Sequence, residues 1–246
     1  MRGGIRDSPV KRELLKQLRR KDVVSGDEIA QRVGISRVAV WKHIKELNML
    51  GYEILSTPKG YVLVKEAHKP YPWELDFEVY YFKEVWSTMD IAKELAEEGK
   101  ENVFIIAEKQ KGGRGRLGRN WISQEGGLYF SLVVRPKIPL KDVDRLVFPI
   151  SGAIIETLDR YGISAKIAPN GDIFVGNNKL AGILIEAEGE IDLVKYAIIG
   201  VGVNVNNPVP EEATSLKREL DKEINLLEFT KVLFLRINHH LLKAIF

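Results

Sequence analysis

Residues 110–121, Gln-Lys-Gly-Gly-Arg-Gly-Arg-Leu-Gly-Arg-Asn-Trp, place Arg114, Arg116 and Arg119 among four glycines. Glycine lets a backbone come close to a ligand or take φ > 0. The planar, forked guanidinium suits phosphate and carboxylate. Such charge is costly to bury without a counter-charge, so an anionic ligand is the natural occupant. Two familiar glycine motifs are excluded. Gly113-Arg-Gly115-Arg-Leu-Gly118 spells the dinucleotide fingerprint, but residues 120–127 carry no helical pattern to supply the helix N-terminus that motif needs. The phosphate-binding P-loop requires Gly-Lys-Ser/Thr after its spacer, and that tripeptide is missing. A flexible basic turn is the plainer alternative. It is disfavoured because strand-like Val103–Glu108 and Leu128–Val134 flank the loop.

The elements that must position this loop alternate beyond residue 77. Strands are expected at Glu78–Phe82, Val103–Glu108, Leu128–Val134, Ala165–Ile167, Ile173–Val175, Leu180–Glu186 and Tyr196–Val205. Helices are expected at Met89–Glu97, at Val143–Tyr161 and from Leu226 onward. Several strands follow one another by short turns, which implies an α+β arrangement around a mixed sheet. Residues 65–73 contain two prolines and no periodicity, so the domains are expected at 1–65 and 66–246.

The first 65 residues carry 14 Lys/Arg against 7 Asp/Glu, a net of +7, and the remainder nets −4. A basic module on a mildly acidic body suggests a polyanionic partner. Val10–Arg20 reads as a helix with Leu14, Leu15 and Leu18 on one side. Ser25 caps a second helix that Gly34 ends, and Ser36 caps a third with Val40, Ile44 and Leu47 inward. Two strands around Pro58-Lys59-Gly60 add a wing. This is a winged helix-turn-helix, whose third helix enters the DNA major groove N-terminus first. Ser36, Arg37, Trp41, Lys42 and Lys45 are the candidate base or backbone contacts, and Lys59 at the wing tip reaches phosphate. A protein-binding bundle of the same shape is the alternative, and the charge argues against it.

No apolar run approaches the ~18 residues of a membrane span, and the basic start lacks a signal-peptide core. Cysteine is absent, so disulfides and thiolate metal sites are excluded, and the four histidines show no ligand spacing, so no protein metal site is expected. A cytoplasmic location follows as the expectation.

Five segments in order resemble the biotin–protein ligase family. They are Trp86-Ser87-Thr88-Met89-Asp90, the Gly-Arg-Gly-Arg-x-Gly-Arg loop with Trp121, Ser123–Ser131, Lys179-Leu180-Ala181-Gly182-Ile183-Leu184-Ile185-Glu186, and Gly200-Val201-Gly202-Val203-Asn204-Val205-Asn206. Val33–Ile44 resembles the recognition region of the biotin operon repressors in that family. The resemblance runs from about residue 8 to about residue 235. It implies a biotin/lipoate-ligase-like catalytic domain that consumes biotin and ATP with Mg2+. Biotin would become biotinyl-adenylate and then pass to a lysine of a biotin carboxyl carrier protein domain. It also implies a homodimer that represses at operator DNA. Arg114, Arg116 and a lysine would be catalytic. Ser87, Thr88 and Gln110 would bond the ureido ring. Met89, Gly113, Gly115, Arg119, Trp121, Gly182 and Asn204 would complete the ligand site. Read without the resemblance, Ser87 and Thr88 equally suit helix capping, Trp121 suits the core, and Asn204 suits a turn.

Two departures stand out. The family's Lys-Trp-Pro-Asn-Asp becomes Lys166-Ile167-Ala168-Pro169-Asn170-Gly171-Asp172, with two residues added. Two residues shift a side chain ~7 Å along a strand unless a bulge absorbs them. Lys166 is the expected catalytic lysine. The family also continues into a small β-barrel, whereas this sequence stops at Phe246 within a helical pattern, so the barrel is expected to be absent. The competing expectation is a ligand-sensing regulator without ligase activity. A lipoate ligase is disfavoured by the winged helix and the arginine loop.

Overall fold

A computed structural model describes residues 3–245. The N-terminal module comprises α1 (Pro9–Leu18), α2 (Gly26–Val33), α3 (Arg37–Met49), β1 (Glu53–Thr57) and β2 (Gly60–Lys65). Each helix starts where a serine hydroxyl accepts from the first turn: Ser8 from Lys11 N, Ser25 from Glu28 N and Ser36 from Ala39 N. Gly34 closes α2 in the left-handed conformation at φ 74°. Leu14, Leu15, Ile29, Val40 and Leu47 are fully buried between the helices.

The larger part holds β3 (Glu78–Val85), α4 (Thr88–Glu97), β4 (Val103–Gln110), β5 (Leu128–Val134), α5 (Val147–Asp159), β6 (Lys166–Ile167), β7 (Ile173–Val175), β8 (Asn178–Glu190), β9 (Leu193–Val203), α6 (Leu216–Leu220) and α7 (Leu226–Ile245). Seven strands form one mixed sheet in the order β3-β4-β5-β9-β8-β7-β6. Only β3 and β4 run parallel, as the crossover through α4 requires; the other neighbours are antiparallel. Strand alternation separates two cores. Phe104, Phe130, Val201 and Val203 pack with Phe234 and Ile154 of α7 and α5. Ile105, Val133 and Ile198 pack with Met89, Ala92 and Leu95 of α4.

Several expected bounds move by a few residues, and two of the shifts have a plain physical reason. The helix expected from Val143 begins at Val147, after a 3-10 turn over Leu140–Leu146. Pro149 lacks an N–H and fits only a first turn, so the α-helix starts just ahead of it. The expected strand Leu180–Glu186 extends at both ends, back to Asn178 because β7 pairs with it there and on to Glu190 because β9 does.

Residues 66–77 pack against both parts. Tyr71 stacks on Trp73 with centroids 5.1 Å apart. Its hydroxyl donates to Leu50 O at 2.8 Å, and burial pushes its pKa up to about 12. Trp73 Nε1 donates to the Tyr52 hydroxyl at 3.0 Å, and that hydroxyl donates to Glu74 at 2.6 Å. Arg19 reaches Glu66 and Glu74. Ile5 pairs with Tyr81 at the β3 edge, so residues ahead of α1 also touch the large sheet. None of the described helices is long and apolar enough to cross a membrane.

Candidate functional site

A cavity of about 500 Å3 opens beside the β8 and β9 glycines and beneath the arginine loop. That is ample for a small ligand. Ser87, Thr88, Met89, Gln110, Arg114, Gly115, Arg116, Arg119, Trp121, Gly182 and Asn204 all line it. Gly113 does not. It lies beneath the loop, where an added Cβ would sit 2.4 Å from Trp121 O.

Ser87 caps α4, accepting from Met89 N at 3.3 Å, so capping and facing the cavity are compatible roles. Thr88 N and its hydroxyl both donate to Gln110 Oε1, at 2.8 and 3.1 Å. Gln110 Nε2 donates to Ser123 Oγ at 2.9 Å, and the hydroxyls of Thr88 and Ser131 lie 2.8 Å apart. Ser87, Thr88, Ser123 and Ser131 are all buried.

The glycines of β8 and β9 make a recess. Gly182 faces Gly202 across the ladder. A Cβ on Gly202 would come within 2.3 Å of Trp121 Nε1, and one on Gly182 within 2.9 Å of the same ring. Gly200 likewise leaves room for Met89 Sδ. Trp121 therefore rests on a floor of two side-chain-free positions, and its indole N–H has no protein partner.

Arg114 donates to Asp90 at 2.5 Å and to Glu186 at 3.3 Å. Arg116 donates to Asn170 O at 2.9 Å. The loop tip, Arg116–Gly118, is a 3-10 turn with Leu117 at φ 55° and 91% exposed, a conformation uncommon for a leucine. Arg119 is exposed beside it.

Lys166 is the correction. It lies on the exposed edge strand β6, paired with Phe174, and does not line the cavity. The two added residues are taken up in the turn Ala168–Gly171, where Gly171 N donates to Ala168 O at 2.8 Å and Gly171 has φ 84°. The hairpin closes without carrying Lys166 inward. The cavity contains Lys179 instead. Its ammonium donates to Asp172 at 2.6 Å and lies 5.3 Å from the Trp121 ring centroid. Gly176-Asn177 between β7 and β8 is a two-residue hairpin signal, and it would have paired Phe174 with Lys179, leaving Asp172 two residues further along within reach of the lysine. Asn207, also missed, is buried in the lining and bonds Asn204 Oδ1 at 3.0 Å.

Outside the cavity lining, Lys69 bonds Glu108 of β4 and, at 3.2 Å, Glu125. Burial works against the Lys69 charge, but the two carboxylates outweigh it and raise its pKa. In the N-terminal module Ser36, Arg37, Trp41, Lys42, Lys45 and Lys59 are all exposed. Lys45 Nζ sits 4.3 Å over the Trp41 ring, and Arg37 faces Asp27 at 3.5 Å.

The sequence profile of the Biotin/lipoate A/B protein ligase family matches residues 81–204, and that of an HTH domain matches 10–62. The chain is 38% identical over 224 residues to the bifunctional ligase/repressor BirA of Bacillus subtilis, covering 83% of this chain and 69% of that protein. Against the bifunctional ligase/repressor BirA of Escherichia coli it is 30% identical over 209 residues, 82% and 65% of the two chains. A solved structure of biotin protein ligase from Aquifex aeolicus in complex with biotin and ATP superposes with TM-score 0.60. That match has 31% identity and covers 68% of this chain and 72% of that one.

Proposed function

The chain belongs to the Biotin/lipoate A/B protein ligase family, and we propose that it is an ATP-dependent biotin–protein ligase that also acts as a biotin-responsive DNA-binding repressor. One observation carries the enzymatic half. A single cavity holds the polar set Ser87, Thr88 and Gln110 together with Lys179 and the three loop arginines. The first group offers what a cyclic urea needs, and the second offers what two meeting anions need.

In this reading biotin's carboxylate oxygen attacks the α-phosphorus of ATP, and the bond to the leaving pyrophosphate breaks. Lys179 and Arg116 lower the repulsion between the anions and stabilise charge growing at phosphorus. Arg114 and Arg119 hold phosphate oxygens. Trp121 on its glycine floor closes over the adenylate, and Asn204 faces the base. The amine of a carrier-domain lysine then attacks the acyl carbon and AMP leaves. Asp172, a carboxylate within the lining, would be the residue to help hold a Mg2+ bound with ATP, which would supply charge neutralisation at the phosphates.

The reading of a sensor without ligase activity rested on the altered Lys166 segment and on the expected absence of the small β-barrel. Lys179 in the cavity answers the first of these and favours the ligase reading. For the repressor half, Ser36, Arg37, Trp41, Lys42 and Lys45 read an operator half-site while Lys59 meets phosphate. A homodimer supplies the second half-site. The domains divide at 65/66, and substrates such as ATP and operator DNA place the protein in the cytoplasm.

The test is mass spectrometry after incubation with biotin, ATP and Mg2+ plus a carrier domain. Biotinyl-adenylate and an acceptor heavier by one biotinyl group are expected. Retained biotin with neither product would overturn the ligase reading in favour of a sensor.

A further inference from the structure

We propose that Ser131 and Ser123, which lie behind the ligand-facing groups, are positioning residues that fix the direction of the hydrogen bonds at Thr88 and Gln110 and so make the cavity read a cyclic urea. The inference rests on the biotin reading above and deepens it.

The direction follows from counting hydrogens. Thr88 N can only donate, so the Gln110 atom facing it is the carbonyl oxygen and the amide orientation is determined. That oxygen carries no hydrogen, so the Thr88 hydroxyl donates to it as well. Its one hydrogen is then used, and the contact with Ser131 at 2.8 Å must have Ser131 donating. The reverse arrangement would leave the Ser131 hydroxyl hydrogen, which is fully buried, facing no acceptor. On the other side Gln110 Nε2 donates to Ser123 Oγ, and Ser123 passes its own hydrogen to Trp121 O at 3.1 Å.

What remains for a ligand is fixed. Thr88 has a spare lone pair and Gln110 has a spare N–H. Ser87, already accepting from Met89 N, has a free O–H. One acceptor beside two donors matches the N–H and C=O of a cyclic urea. A sulfur ring of similar size, without N–H or carbonyl, would leave all three unmet, which is the basis for strong rejection. Without Ser131 the second side of the Thr88 hydroxyl is unheld, and only the 3.1 Å bond to Gln110 Oε1 keeps its hydrogen from turning toward the cavity, where it would meet the urea N–H head-on.

The test is calorimetric titration of biotin into the full chain, with the KM for ATP measured in parallel. Ser131→Ala is expected to weaken biotin binding about tenfold and to leave the KM for ATP unchanged. Ser131→Cys, which keeps a weak donor, should recover part of the loss. In a Thr88→Val background Ser131→Ala should add less than twofold, because Ser131 acts only through Thr88. If Ser131→Ala does not fold, Ser123→Ala in its loop carries the same expectation through Gln110. The proposal is overturned if the folded variant binds biotin within twofold of wild type, if the KM for ATP moves in step, or if the double variant is additive. A wild-type chain that binds no biotin overturns the functional reading itself, and that result is seen before any variant is made.

Discussion

Lys179→Met should cost the adenylation step on the order of 10^2 in rate, while Lys166→Met changes it by less than about threefold. A unit-charge pair at ~4 Å in an effective dielectric of ~20 is worth about 4 kcal/mol, equivalent to about 10^3 in rate at 1.36 kcal/mol per decade. The Lys179 side chain is 32% exposed, so solvent screening brings the effect down toward about 3 kcal/mol. Folding must be separated from chemistry, because removing Lys179 leaves Asp172, only 10% exposed, without its cation. Lys179→Met combined with Asp172→Asn removes both charges and should recover thermal stability without recovering rate. The assay is pyrophosphate release from saturating biotin and ATP, with the melting temperature recorded beside it. Full activity in Lys179→Met, or an equal loss in Lys166→Met, would refute the assignment of the cavity lysine.

Arg116→Ala should lower adenylate formation by about 10^2–10^3; unchanged turnover would sink the role given to the loop. Gly202→Ala forces a Cβ to within 2.3 Å of Trp121 Nε1. The ring must leave its recess at a cost of about 1–3 kcal/mol, which acrylamide quenching would report as a more accessible tryptophan. If Lys42 contacts phosphate, Lys42→Ala should reduce the salt slope of DNA binding by about one while leaving adenylation intact; an unaltered slope removes Lys42 from the interface. Glu125 has its pKa lowered by its hydrogen bond to Lys69, then by the Lys69 charge and the bond to Lys109. A depressed carboxylate stabilises the fold above its unfolded value near 4.5 and loses that contribution as pH falls through the folded value. Melting temperatures measured from pH 6 down to pH 3 should therefore drop more steeply in wild type than in Glu125→Gln, and parallel curves would contradict the pairing.

The elements were legible in the sequence wherever a local signal set them. Ser25, Ser36 and Gly34 fixed the ends of α2 and α3 from their own side chains and backbone preference. β5 matches its expected range, Leu128–Val134, because apolar and β-forming residues fill both of its faces in a central strand. α6 escaped notice because five residues give no period to read. The 3-10 turn over Arg116–Gly118 is held by the surrounding loop against the preference of Leu117, which no local pattern announces.

The site divides along the same line. Residues recognised by type, such as Ser87, Thr88, Gln110 and the arginines, line the cavity as expected. The lysine was misplaced because the linear motif ranked Lys166 by its neighbours Pro169, Asn170 and Asp172, whereas the fold ranks it by strand order. β6 is the last strand of the sheet, so a side chain there is two strands removed from β8. Lys179 begins β8 itself, and the hairpin turns it back onto Asp172 and over the Trp121 ring. The added residues are what separate the two descriptions. In a hairpin, length added at the turn can be absorbed at the turn, and here Lys166 stays paired with Phe174 on the edge strand, away from the cavity. A motif that spans a turn therefore fixes which of its residues reach the site only once the pairing is known. Asp172, on the near side of the turn, lines the cavity, and Lys166, on the far side, does not.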